Sequence, residues 1–323
     1  MRVLLTGSSG WLGRFLAPLL RSAGHSTIGL DVAPGRETDH IGSIADRPLV
    51  DRIFADHRPD AVVHAAALHK PDIARYPAQA FVDVNVTGTL TLLEAAAAAG
   101  VSRFVFTSTT SLMISETIRA GAGDAATWID ESLAPLAPRN IYGVSKLAAE
   151  QLCRLHHQHH GLPVVVLRTG RFFPEEDDTH RALSGENMKA NELLHRRLTV
   201  EDAAAAHLAA LELAPQIGFD TFILAAPTPF ARDEARELKR DAAAVIARRF
   251  PDAPALYAAR GWSLPRSIDR VYDARRAADR LGFRCAADFA AVLDALRSGA
   301  PLPFAHDPDY VSPIAAQGSV RSR

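Results

Sequence analysis

The chain has 323 residues, with 36 Lys or Arg against 37 Asp or Glu, a formal net charge of −1, and 48% hydrophobic and 23% charged residues. That length leaves ample chain for a core and about two domains, and the near-neutral balance lacks the basic excess that nucleic acid demands of a main partner. Two cysteines, Cys153 and Cys285, are too few for a disulfide framework; with no apolar run of about 18 residues and no cleavable leader after Met1, a reducing, cytoplasmic setting with no membrane partner is expected.

Val3-Leu4-Leu5 reads as a buried strand and runs straight into Thr6-Gly7-Ser8-Ser9-Gly10-Trp11-Leu12-Gly13, which opens an apolar helix over Trp11 to Ala23. Glycines spaced GxxGxxG at a strand-to-helix turn permit a tight turn, close approach of a pyrophosphate to backbone N–H groups, and close packing of helix on strand. A second strand, Thr27 to Leu30, ends at Asp31, eighteen positions past Gly13. A carboxylate there accepts hydrogen bonds from an adenosine ribose and repels a 2′-phosphate, which favours NAD. Arg36 lies close enough in sequence to serve NADP if the loop curls back, so that less favoured cofactor stays open.

Next come a helix over Asp46 to His57, a strand at Ala61 to Val63, a helix over Ala78 to Ala99 closed by Gly100, and a strand at Phe104 to Phe106. A helix over Ile141 to His160 and a strand at Val164 to Leu167 complete the βαβ rhythm of an α/β, Rossmann-type, doubly wound parallel sheet. On the long helix, Tyr142 and Lys146 are four apart and share a face. An ammonium stabilises phenolate, so Lys146 is expected to bring the Tyr142 pKa down from about 10 toward that of a general base. The same YxxxK spacing also describes an ordinary surface pair.

After Pro174 the composition shifts to a polar segment over Glu175 to Asn191, then a helix over Val200 to Leu213, a strand at Thr221 to Ala226, a helix near Arg232 to Phe250, and a strand with helices over Ser267 to Leu296. This divides the chain into an expected NAD-binding domain (1–173 and 198–226), a smaller C-terminal substrate lobe (174–197 and 227–300), and a proline-punctuated irregular tail (301–323). His156, His157, His159 and His160 read as a solvated helix terminus, and no metal is expected.

The glycine loop, His64-Ala65-Ala66-Ala67, Asn85-Val86-Thr87-Gly88-Thr89, Phe106-Thr107-Ser108-Thr109, the YxxxK helix and Arg197-Leu198-Thr199-Val200-Glu201-Asp202 follow one another in a fixed order. In that order they resemble the extended short-chain dehydrogenase/reductase family, the NAD-dependent epimerase/dehydratase group. The resemblance implies that Tyr142 is the catalytic acid/base, that Lys146 binds the nicotinamide ribose and tunes the tyrosine, and that Asn85 completes a proton relay. It implies that Thr109 bonds the reacting substrate oxygen, with Ser108 as a neighbouring alternative. Gly7, Ser9, Gly10, Trp11, Leu12, Gly13, Asp31, Ala65 and Ala66 would contact the cofactor, and the helices over Ala78 to Ala99 and Ile141 to His160 would pair in a homodimer.

The chain also departs from that pattern. Thr110 and Ser111 stand where sugar dehydratases carry an Asp-Glu pair, which disfavours dehydration, and Met113-Ile114 replace a tyrosine-glycine pair. Arg171 replaces an amide and suits a carboxylate or phosphate on the substrate, although a salt-bridged arginine reads the same way. His69 is either a pocket-facing substrate ligand or half of a solvated loop pair with Lys70. The short segment between Pro174 and Arg197 argues for a compact substrate, and the Arg171 turn is modestly similar to that of uronate and aldose dehydrogenases. The expected function is NAD-dependent hydride transfer at a hydroxyl or ketone carbon of a sugar, sugar acid or sugar nucleotide. The alternative is a non-catalytic, NAD-responsive binding or scaffold protein on the same fold.

Overall fold

Apolar runs too short for helices become the central strands. In a computed structural model that describes residues 1–175 and 183–313, these are β1 (Arg2–Thr6), β2 (Ser26–Asp31), β3 (His40–Ile41), β4 (Ala61–His64), β5 (Arg103–Thr109), β6 (Thr127–Ile129), β7 (Val164–Thr169), β8 (Phe219–Leu224) and β9 (Arg270–Tyr272). Seven of them form one sheet in the order β3-β2-β1-β4-β5-β7-β8 with every pair parallel, while β6 pairs with β9. The expected doubly wound architecture is therefore present.

Side chains alternate across the sheet, so each strand feeds two cores. Val3 and Leu5 pack beneath helices Trp11–Ser22 and Val200–Ile217, whereas Leu4 packs beneath Arg47–His57, Gly88–Ala98 and Ile141–His160. A further apolar cluster, which includes Leu193, Leu238, Tyr257, Val271 and Phe289, joins the helices that follow β7 to the β6–β9 pair.

Three local readings needed correction. The helix expected over Ala78 to Ala99 is divided into Ala78–Phe81, a π-helical turn Val82–Thr87 and Gly88–Ala98. Gly88 is required where it stands, because a Cβ would lie 2.6 Å from Ile44 Cγ1. Part of the segment read as merely polar is the helix Gly185–Leu193, nearly all of it buried against the third cluster; residues 176–182 lie outside the described residues. The helix from Val200 runs on to Ile217. Over its described residues the tail is irregular and returns to the first helix, where the Tyr310 ring sits 5.1 Å from that of Trp11. Its remainder, 314–323, lies outside the described residues. Among the described residues no helix is long and apolar enough to cross a membrane.

Candidate active site

β1 turns into the first helix through a left-handed Gly7, φ +76°, where a Cβ would come within 2.8 Å of Ala66 N. A Cβ on Gly13 would come within 2.3 Å of the Gly7 carbonyl oxygen, so Gly7 lets the loop lie against the chain after β4 and Gly13 lets the first helix pack against the loop. The helix Trp11–Ser22 starts at Gly10 with no side-chain cap, leaving first-turn N–H donors open to an anion. Asp31 accepts from Ser9 N (3.0 Å) and Ala33 N (2.9 Å), and burial raises its pKa against those bonds. The Ser9 hydroxyl donates to Ala33 O at 2.9 Å. Arg36 is exposed, 3.8 Å from Glu37.

Gly7, Gly10, Trp11, Leu12, Asp31, Ala65 and Ala66 line one crevice at the carboxyl ends of the strands, where strand order reverses between β1 and β4. The glycine cradle, the uncapped helix start and the Asp31 carboxylate fit a dinucleotide. Behind the crevice His64 is buried, its Nδ1 2.8 Å from Thr6 Oγ1 and Nε2 3.0 Å from Thr89 Oγ1. Burial holds it neutral, well below the ordinary imidazole range.

The YxxxK helix is capped by Asn140, which accepts from Gly143 N at 2.9 Å and sets Tyr142 in the first turn. Tyr142 is buried, with its phenol beside the Thr109 side chain at the end of β5. Thr109 Oγ1 also accepts from Ser111 N at 3.1 Å. One turn along, Lys146 is 2% exposed and makes no hydrogen bond or ion pair among the described residues. The expectation that Lys146 lowers the Tyr142 pKa does not hold here. Burial pushes Tyr142 up to about 12 and pulls Lys146 down to about 7, because each loses the solvation of its charged form.

His69 does reach the site, its ring 5.8 Å from Tyr142 and 5.5 Å from Phe173 between centroids. Burial brings it down to about 4, so the imidazole is neutral. Asn85 and Ser108 are placed differently from the expectation. Asn85 Oδ1 accepts from Leu68 N (2.8 Å), and its Nδ2 donates to Leu68 O and Ser145 Oγ (both 3.0 Å), so this amide clamps the loop leading to His69 and both its N–H donors are engaged. Ser108 donates to Glu150 Oε1 at 2.6 Å, and Glu150 in turn pairs with Arg168 Nη2 at 2.7 Å. Adjacent residues of a strand face opposite ways, so Ser108 points into this buried pair while Thr109 meets Tyr142.

Arg171 stands 3.4 Å from buried Glu192, which Arg196 (2.7 Å) and Arg197 (3.0 Å) also approach. Burial alone would raise Glu192, but Arg196, Arg171 and Arg197 hold it at about 2. Met113 and Ile114 pack inward with Ile129, Ile223 and Tyr272. Phe173 and Tyr310 also line the crevice and were not singled out in sequence. Phe173 is visible only as an aromatic after Arg171, and Tyr310 lies in a stretch without periodicity.

A family model for the NAD dependent epimerase/dehydratase family matches residues 3–218. The chain is 34% identical to the low-salt glycan biosynthesis protein Agl12 of Haloferax volcanii, over 58% of this chain and 64% of that one. It is also 34% identical to a UDP-glucose 4-epimerase of Azospirillum brasilense, over 52% of this chain and 48% of that one. The chain thus spans between about half and two thirds of the length of these curated relatives. Among solved structures, a short-chain dehydrogenase/reductase superfamily protein from Agrobacterium tumefaciens with bound NAD aligns at TM-score 0.66 and 23% identity, over 92% of this chain and 96% of that one, a likeness of fold.

Proposed function

The chain belongs to the NAD dependent epimerase/dehydratase family, and on that footing we propose that it carries out NAD-linked hydride transfer at the hydroxyl or ketone carbon of a sugar, sugar acid or sugar nucleotide. The observation that supports this most directly is the buried Tyr142 beside Thr109 and His69, one helical turn from Lys146, next to a crevice fit for a dinucleotide. NAD, when bound, accepts or returns the hydride.

The chain's own residues then manage the proton and the substrate. Thr109 and Tyr142 present two adjoining hydroxyls for the substrate oxygen. With its pKa up at about 12, Tyr142 is a phenol at neutral pH and donates its proton to a ketone oxygen. In the reverse direction it takes the alcohol proton, which requires Lys146 as an ammonium to stabilise the phenolate. The Asn85 clamp holds His69 against Tyr142, where a neutral imidazole donates to or accepts from a neighbouring hydroxyl. Arg171 suits an anionic group on the substrate. Thr110 and Ser111 supply no carboxylate, so elimination of water is not part of the reading.

The intact set of Tyr142, Lys146 and Thr109 argues against a non-catalytic scaffold. Val144 and Leu155, exposed at 48% and 42%, lie three turns apart on the YxxxK helix, and we take that stripe as one half of a two-fold dimer contact. The test is Tyr142→Phe against a panel of sugar nucleotides, uronic acids and aldoses, following both NADH and product isomers. Turnover should fall about 10²- to 10⁴-fold while NADH binding persists; undiminished turnover would overturn the assignment.

A further inference from the structure

The crevice is walled on one side by the returning C-terminal arm, of which Tyr310, Ser312 and Pro313 contribute to its lining. Tyr310 lies edge-on to Trp11, ring centroids 5.1 Å apart at 62°, and the Arg14 guanidinium sits 5.2 Å and 5.6 Å from the two ring centroids. The ring under Tyr310 is itself fixed, since Trp11 Nε1 donates to Phe172 O at 3.2 Å. Two further ties hold the arm: Asp307 N donates to Pro174 O at 2.9 Å, and His306 Nδ1 lies 2.9 Å from Lys189 Nζ. The arm thus forms one wall of the same crevice that the glycine loop and Asp31 line from the other elements. The Tyr310 hydroxyl oxygen is buried and its proton finds no acceptor, with Arg14 beside it. A buried hydroxyl in that state suits a ligand rich in oxygens.

We infer that the arm over residues 303–313 is a retention strap for the dinucleotide, with Tyr310, seated on Trp11 and Arg14, as the contact that must open before the cofactor leaves. This rests on the NAD-linked reading above. Tyr310→Ala removes the seat, and Tyr310→Phe keeps the ring but removes the hydroxyl. In stopped-flow displacement of NADH from the full-length protein, the alanine variant should release NADH at least about tenfold faster than wild type and bind it more weakly, with phenylalanine intermediate. On the unsubstituted protein, hydrogen exchange at the Asp307 and Tyr310 amides should slow when NADH is added. Unchanged release and exchange in a protein that binds NADH would overturn the strap and leave the NAD-linked reading standing. Tighter binding by Tyr310→Ala would also overturn it, making the arm a competitor of the cofactor. No NADH binding by wild type would overturn both.

Discussion

Lys146 holds its Nζ 4.0 Å from the centroid of the Phe106 ring, so the cation expected to serve the active site rests on an aromatic face and is hemmed in by the core. With a folded pKa of about 7 against an ordinary 10.5, it is a stability liability. The unfolded chain binds more protons than the folded one between those values, so this lysine costs stability in full below about pH 7, and the cost fades toward pH 10.5. Lys146→Met should therefore raise the unfolding temperature of the dinucleotide-free protein, more at pH 7 than at pH 9.5, while abolishing turnover. Equal gains at the two pH values would contradict the buried-amine account.

Asn85 should matter to stability as much as to chemistry. Asn85→Ala strands the Leu68 N–H and C=O, and an unpaired buried polar group costs about 1–3 kcal/mol. Urea unfolding should show a loss of at least about 2 kcal/mol, and KM should rise as His69 loses its anchor. A relay role alone predicts a fall in kcat with stability preserved.

Glu150 and Arg168 form a pair under 10% exposed, with Ser108 as a third partner. Removing one charge from such a pair costs about 3–5 kcal/mol because the other is left buried alone. Arg168→Met and Glu150→Gln should each be severely destabilising, and the double variant should recover much of the loss. Additive losses in a double-variant cycle would show that the two groups are not coupled.

Asp31 ties the Ser9 and Ala33 amides together at the ribose end of the crevice. Asp31→Ser removes the negative charge there, and the ratio of NAD to NADP affinity measured by calorimetry should fall at least about tenfold. An unchanged ratio would mean that discrimination lies elsewhere.

The sequence showed what short-range pattern controls. β1, β4, β5 and β7 are each built around a short apolar run, and the YxxxK helix has its Asn140 cap and left-handed Gly161 in plain view, so its span Ile141–His160 is the one expected. The two-residue β3 and the three-residue β6 and β9 are too short to carry a period. Tertiary placement was likewise hidden. Whether Ser108 or Thr109 meets Tyr142 depends on strand alternation, the direction of the Tyr142 pKa depends on depth of burial, and Tyr310 reaches Trp11 across the whole length of the chain.

The π-helical turn over Val82–Thr87 fixes more than the position of one amide. Each residue of an α-helix advances by about 100° around the axis, and one surplus residue in a wide turn lets the segments on either side keep different angular phases. Asn85 looks toward Leu68 while Gly88 stays pressed on Ile44. Shortening this stretch by a single residue would satisfy one of those neighbours only by turning the other away, so the segment can vary in side chain far more readily than in length.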